Sequence, residues 1–223
     1  MSKSCPNFIA YTFAHVLGAV GLTAVGTQYN IIPTENPGYR LLVSLGTVGL
    51  VILQQFLPPG VPKYLVFLTF ILLLSQILRP LEDQLQEKGL LFEVTVMTLG
   101  IFIPMVLLGL YDKLNILHWG YYLLFALIGL IIARIILYAL ALTGDYTGQQ
   151  ISMGSKVLST FSVGLFGLFV TYDVNLIKLR AKMCSKKPNY KTTFFLPDYV
   201  DSSMGLFLDL INLFTNSANL LSE

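Results

Sequence analysis

Residues 169–173 read FVTYD and residues 205–212 read GLFLDLIN, and these two stretches decide how the rest of the chain is interpreted. Each places one aspartate, Asp173 or Asp209, inside apolar sequence. A carboxylate moved into hydrocarbon costs several kcal/mol unless it is paired, protonated or hydrated. Two such aspartates in consecutive apolar segments therefore predict a functional site inside a membrane.

The composition of the chain supports a membrane protein. Apolar residues make up 55% of the 223 residues and charged residues only 12%, whereas soluble domains carry about 25% charged residues. A membrane helix needs about 20 residues, so the length predicts one all-α domain, residues 1–223, with seven membrane helices. The net charge of +2 is too small to indicate a nucleic-acid partner, and the two cysteines form no metal-binding motif. We expect no cofactor.

Apolar segments separated by polar or proline-rich stretches give the positions of the seven spans. They are placed at residues 8–27, 40–57, 64–78, 90–110, 119–142, 157–177 and 203–221. Residues 79–89 carry a run of charges and are predicted to form an aqueous loop, and residues 143–154 are predicted to form a second polar loop. The seventh segment is shorter and more polar, so it is consistent with either a crossing or a re-entrant hairpin.

Lysine and arginine residues set the predicted orientation, because short cytoplasmic loops retain them. With seven spans, the side that holds the N-terminus carries nine of these residues and the other side carries four. Six of the nine lie between Lys178 and Lys191. We therefore expect the N-terminus to be cytoplasmic.

The spans place the two aspartates at similar depth. At 1.5 Å per residue, Asp173 lies about 6 Å and Asp209 about 9 Å from the cytoplasmic ends of their spans. Two carboxylates close together do not both ionise readily, so one of them should hold a proton and the pair should titrate together. When ionised, the pair offers oxygen ligands of the kind that calcium prefers. The alternative is that each aspartate caps or hydrogen-bonds a neighbouring helix end.

Two asparagines share a helical face with Asp209. Asn212 lies three residues after it and Asn216 seven residues after it. This face is predicted to line a wet cavity or, alternatively, to supply hydrogen bonds between helices.

Three further polar residues lie inside predicted spans. Arg134 and Glu93 are placed near the same membrane face, where they are expected to form a structural ion pair or, alternatively, a gate. His15 lies in the first span and is interpreted either as a group for proton transfer or as a packing residue.

Three motifs in the C-terminal part resemble the signature of the transmembrane Bax-inhibitor-motif family. They are VTYD at 170–173, LPDYV at 196–200 and LFLDLINLF at 206–214. The resemblance implies six helices around a central, semi-polar seventh helix. It implies a pH-sensitive calcium leak across an internal membrane, such as the endoplasmic reticulum, or the plasma membrane, linked to suppression of cell death. It also implies that Asp173 and Asp209 share a proton.

The chain departs from the family pattern at the end of the second span. Bacterial relatives hold the sixth-span aspartate with an arginine at this position. Here the position offers only Gln54, Gln55 and, beyond the prolines, Lys63. The resemblance therefore implies a changed or absent latch in this chain.

Two other functions compete with a calcium and proton channel embedded in the lipid bilayer. One is a non-conducting scaffold that acts on cell death through partner membrane proteins. The other is an intramembrane aspartyl protease similar to presenilin, whose two aspartates would activate water. Those proteases place glycine before the second aspartate, where this chain has Leu208. We therefore expect a protein that is not an enzyme.

Overall fold

The computed structural model describes residues 7–29, 37–111, 114–143, 148–185 and 198–222. In these ranges the chain forms seven α-helices and one short 3-10 helix at Leu117–Trp119. The α-helices are α1 Phe8–Thr27, α2 Pro37–Phe56, α3 Val61–Glu87, α4 Leu91–Leu110, α5 Gly120–Thr143, α6 Gly148–Ser185 and α7 Tyr199–Ser222. Residues 144–147 of the predicted polar loop and residues 186–197, which include the last part of the basic segment, lie outside the described residues.

Six of the helices, α1 to α6, are long and apolar enough to cross a membrane. These helices are what an integral, multi-pass membrane protein requires. A crossing by α7 stays a prediction. From Tyr199 to Leu220 no side chain of α7 is exposed, so the polar groups of this helix are enclosed by protein.

The predicted loop at residues 79–89 is wrong, because α3 continues through it to Glu87. The charges in this segment argue against lipid contact, but they do not argue against a helix, which satisfies its own backbone in any solvent. Arg79 Nε lies 3.6 Å from Asp83 Oδ2, one helical turn later, and this pair supports the helix. The helix is closed off at Gly89, whose φ of +69° favours glycine.

The α6 helix is also longer than its predicted span. It runs over 38 residues from Gly148, whereas apolar sequence predicts only residues 157–177. Its first seven residues were predicted to form a loop, and that prediction is wrong. Hydropathy marks the lipid-compatible part of a helix and does not mark where its hydrogen bonding ends.

The described chain forms two compact units. The first consists of Met1–Gln84 and Ile177–Phe207, and the second consists of Leu85–Leu176 and Leu208–Glu223. The first unit thus contains α1, α2 and most of α3, and the second contains α4, α5 and most of α6. The prediction of a single domain stays a prediction.

Aromatic side chains and a close helix contact hold the first unit together. The ring centroids of Phe70 and Phe207 are 6.3 Å apart. A Cβ atom added at Gly26 would lie 2.8 Å from Ser75 Cβ, so α1 and α3 approach closely there. Gln76 Nε2 donates to the carbonyl oxygen of Gly26 over 2.9 Å and so satisfies the end of α1.

Candidate functional site

Asp173 and Asp209 both belong to the second unit, and their carboxyl groups are close enough for the charge of Asp173 to act on Asp209. Asp209 is only 7% exposed, and Asp173 is half-buried. Asp209 Oδ2 is buried and has no hydrogen-bond partner among the described residues. Capping therefore does not explain this oxygen.

Both aspartates lie well inside their helices, because the helices continue beyond the predicted spans. Since α6 ends at Ser185 and α7 begins at Tyr199, Asp173 lies about 18 Å and Asp209 about 15 Å from those helix ends at 1.5 Å per residue. Their predicted depth in the membrane, which is measured from the ends of the spans, stays a prediction. The two distances still agree within one helical turn.

Hydrogen bonds to α4 hold the part of α6 that carries Asp173. Thr171 Oγ1 donates to the carbonyl oxygen of Met105 over 3.1 Å, and Asn175 Nδ2 donates to that of Gly109 over 3.0 Å. The Gly109 carbonyl lies in the last turn of α4, where the helix itself supplies no donor. Asn175 thus caps α4 from the side, and the two bonds flank Asp173 along α6.

A glycine makes this contact between α4 and α6 possible. A Cβ atom added at Gly109 would lie 2.7 Å from Val174 Cβ and 3.0 Å from the carbonyl oxygen of Thr171. Real Cβ atoms do not approach this closely, so only glycine fits. Val174 is adjacent to Asp173 in the chain, and the close approach therefore helps to set the position of the carboxylate.

Arg134 of α5 binds neutral partners rather than a carboxylate. Its Nη2 atom donates to Asn216 Oδ1, to Ser162 Oγ over 3.2 Å and to Ser159 Oγ over 3.5 Å. The predicted pair between Arg134 and Glu93 is wrong, because Glu93 is exposed and forms no ion pair with it. A charged guanidinium gains more from several oriented oxygen atoms than from one carboxylate on an exposed helix face.

The two asparagines of α7 have different partners. Asn216 joins α7 to α5 through Arg134, which is the interhelical role proposed for it. Asn212 Nδ2 donates over 2.9 Å to the carbonyl oxygen of Leu208 in its own helix. The amide nitrogen of Asn212 is therefore used within α7.

Lys63 lies in an ionic cluster of the first unit. Its side chain is 5% exposed, and its Nζ atom lies 2.5 Å from Asp198 Oδ2 and 3.9 Å from Asp201 Oδ1. Arg180 Nη1 lies 2.7 Å from Asp201 Oδ2 and donates to Ser202 Oγ over 2.8 Å. Two cations and two carboxylates thus alternate at the start of α7.

Sequence reasoning missed this cluster. It assigned Arg180 only to membrane topology and considered Lys63 only as a replacement for the family arginine. Asp198 and Asp201 could have indicated the cluster, since they lie three residues apart at the start of a helix. Asp198 also accepts the backbone N–H of Asp201 over 3.2 Å, as an N-cap residue does.

Gln54 is fully buried in the first unit, whereas its neighbour Gln55 is exposed. Both amide atoms of Gln54, Oε1 and Nε2, have no hydrogen-bond partner among the described residues. Burying an unpaired amide is unfavourable by about 1–3 kcal/mol per group. The end of α2 thus carries a costly neutral side chain.

His15 makes the contacts of a packing residue. Its Nε2 atom lies 2.8 Å from Tyr64 Oη, and its Nδ1 atom lies 2.6 Å from the carbonyl oxygen of Tyr11. The imidazole also stacks on Tyr199, with ring centroids 5.9 Å apart. These contacts lie within the first unit, whereas the aspartate pair belongs to the second.

The described residues contain no group of three or more His, Cys, Asp or Glu side chains that could enclose a metal ion. Ca²⁺ takes six to eight oxygen ligands in a tight site. Asp173 and Asp209 alone do not make up such a ligand set.

Comparison with known families extends the resemblance to nearly the whole chain. The model of a family described as inhibitor of apoptosis-promoting Bax1 matches residues 5–223. Comparison with curated proteins finds no match. The matched range includes α1 to α5 as well as α6 and α7, which carry Asp173 and Asp209. The chain belongs to the Bax1-I family of inhibitors of apoptosis-promoting Bax1.

Proposed function

We propose that the protein is a pH-sensitive calcium leak channel in which the Asp173 and Asp209 pair is both proton sensor and gate. The observation that carries this proposal is Asp209 Oδ2, which is buried, lacks a hydrogen-bond partner among the described residues and lies in the field of Asp173. Such an oxygen is stabilised by a proton or by a cation. Exchange of the proton for a calcium ion would couple calcium flux to pH.

Contacts with α4 restrain the part of α6 that carries Asp173. Thr171 and Asn175 bind α4 on either side of Asp173, and the close contact at Gly109 leaves little room for α6 to shift there. A change in the charge of the pair would therefore act mainly on α7. Asn216, held by Arg134, restrains the far end of that helix.

The proposal extends to the cellular setting. Membership of a family described as inhibitor of apoptosis-promoting Bax1 supports a role in calcium homeostasis and cell death. We propose an internal membrane or the plasma membrane, a cytoplasmic N-terminus and no enzymatic activity. Calcium and protons are the transported ions rather than cofactors. Membrane proteins that regulate cell death are the proposed partners.

The test is calcium flux into proteoliposomes over a pH series. Flux through the wild type should change steeply with pH, and flux through Asp173→Asn or Asp209→Asn should lose most of that dependence. Asp83→Asn is the matched control, because Asp83 is 58% exposed and lies outside the pair. Unchanged pH dependence in Asp209→Asn would refute the gating role.

A scaffold function gives a different outcome in the same assay. A scaffold would move no calcium at any pH, yet its expression would still alter cell survival. Survival should then be unaffected by Asp209→Asn, whereas the channel proposal expects flux and survival to change together.

A further inference from the structure

A cleft of about 220 Å³ lies between α5 and α6 in the second unit. From α5 it is lined by Arg134, Leu137, Tyr138 and Ala141, which recur with helical spacing on one face. Gly154 of α6 allows the two helices to approach, since a Cβ atom added there would lie 2.9 Å from Leu137 Cδ1. The α6 wall consists of Ile151, Ser152, Ser155 and Leu158, so each helix contributes both apolar and polar side chains to the cleft.

Only part of the Arg134 guanidinium is used by the protein. All three hydrogen bonds to Ser159, Ser162 and Asn216 come from Nη2. Among the described residues no acceptor binds Nε or Nη1, and no carboxylate neutralises the charge. The bonds at Nη2 orient the planar group, and the remaining donors form the kind of fork that binds a carboxylate.

The mouth of the cleft faces a lipid-exposed surface. Tyr138 is 68% exposed at the edge of the cleft. Large apolar side chains of α5, including Ile135 at 62% and Leu142 at 71%, are exposed around it. In a bilayer such side chains contact acyl chains. A ligand that reaches Arg134 by this route must therefore be soluble in the membrane.

We propose that this cleft binds a fatty acid, with its carboxylate on the free donors of Arg134. The volume of the cleft lies below the roughly 300–1,000 Å³ of pockets that enclose drug-sized ligands. This room suits a carboxylate and the first part of one acyl chain, but not the head group of a diacyl lipid. The rest of the chain would leave sideways past Tyr138 into the bilayer.

Equilibrium binding of radiolabelled oleate to the purified full chain in detergent tests the proposal. Wild-type protein should bind oleate saturably. Arg134→Gln should weaken binding about ten- to a hundred-fold, the effect of losing charge-assisted hydrogen bonds. Arg134→Lys, which keeps the charge but lacks the fork, should bind with intermediate affinity. Arg79→Gln, an arginine of the first unit, should bind like the wild type. Equal binding by Arg134→Gln and the wild type would overturn the proposal.

A second variant tests the proposal even if Arg134→Gln misfolds. Ala141→Trp fills the cleft at an exposed position and leaves the contacts of Arg134 in place. It should retain the helical circular dichroism of the wild type and lose oleate binding. Undiminished binding in this folded variant would show that the fatty acid lies elsewhere.

Competitors identify the ligand chemistry. Unlabelled oleate should displace the label, whereas methyl oleate, which lacks the charge, and acetate, which lacks the chain, should not. Displacement by either one at oleate concentrations would overturn the proposal. Lysophosphatidate binding more tightly than oleate would overturn the assignment of a carboxylate head group.

Discussion

Lys63 Nζ lies 2.5 Å from Asp198 Oδ2, although the two residues are 135 positions apart in the chain. The contact joins the start of α3 to the start of α7 within the first unit. The lysine is nearly inaccessible, whereas the side chain of Asp198 is 27% exposed. A buried ammonium is tolerated only where carboxylates surround it, and Asp201 supplies the second one at 3.9 Å.

We expect Lys63→Met to destabilise the protein by about 2–3 kcal/mol, below the range for fully buried pairs because the aspartates are partly exposed. Thermal unfolding in detergent measures this. Lys88→Met is the control, since Lys88 is exposed and donates only to the carbonyl oxygen of Ser222. In a double-mutant cycle with Asp198→Asn, the two effects should not add. Additive losses would show that the pair contributes no coupling.

The same substitution should have opposite effects at two aspartates. Asp209→Asn replaces a repelled, unpartnered carboxyl group with an amide that is able to donate, and should raise stability at neutral pH by about 1 kcal/mol or more. Asp201→Asn removes the ion pair with Arg180 and should lower stability. Denaturation midpoints at neutral pH measure both. The gain in Asp209→Asn should shrink in acid, where the wild-type carboxyl group is protonated. A loss of stability in Asp209→Asn would contradict this account.

Two glycines of α4 should respond differently to alanine. Gly109→Ala places a methyl group within 3 Å of Val174 and should destabilise by about 1–3 kcal/mol. Gly100→Ala meets no atom within 4 Å among the described residues and should be neutral or stabilising by up to about 1 kcal/mol. The midpoint temperatures of thermal unfolding show which of the two variants is less stable. If the contact at Gly109 also positions Asp173, calcium flux through Gly109→Ala should show an altered pH dependence while Gly100→Ala behaves as the wild type.

Adjacent glutamines provide a further matched pair. Gln54→Met removes two buried amide atoms without partners and keeps the side-chain volume, so it should raise stability by about 1–3 kcal/mol. Gln55→Met, at an exposed position, should change stability by less than about 0.5 kcal/mol. Thermal unfolding of the two variants measures the difference. A destabilised Gln54→Met would mean that the amide has a bound partner, such as a water molecule or an ion.

The number of helices and the presence of one aspartate in each of the last two helices were predictable from the sequence, because both leave local signals. Runs of apolar residues mark membrane helices, and an aspartate inside such a run is conspicuous. The ends of α3 and α6 were not predictable from hydropathy, since a helix continues into water when ion pairs such as Arg79 and Asp83 support it. The sequence also does not show which glycine of α1 lies at a helix contact: Gly26 contacts Ser75, whereas Gly18 and Gly21 have no such neighbour among the described residues.

The sequence by itself determined that this is a helical membrane protein of the Bax1-I family with two carboxylates in consecutive helices, because apolar periodicity and short motifs are local properties. Only the tertiary structure decided the partners: Lys63 with Asp198, and Arg134 with Asn216 instead of Glu93. Partner choice depends on which helix faces meet, and residues distant in the chain meet only after packing. The free donors of Arg134 became visible for the same reason.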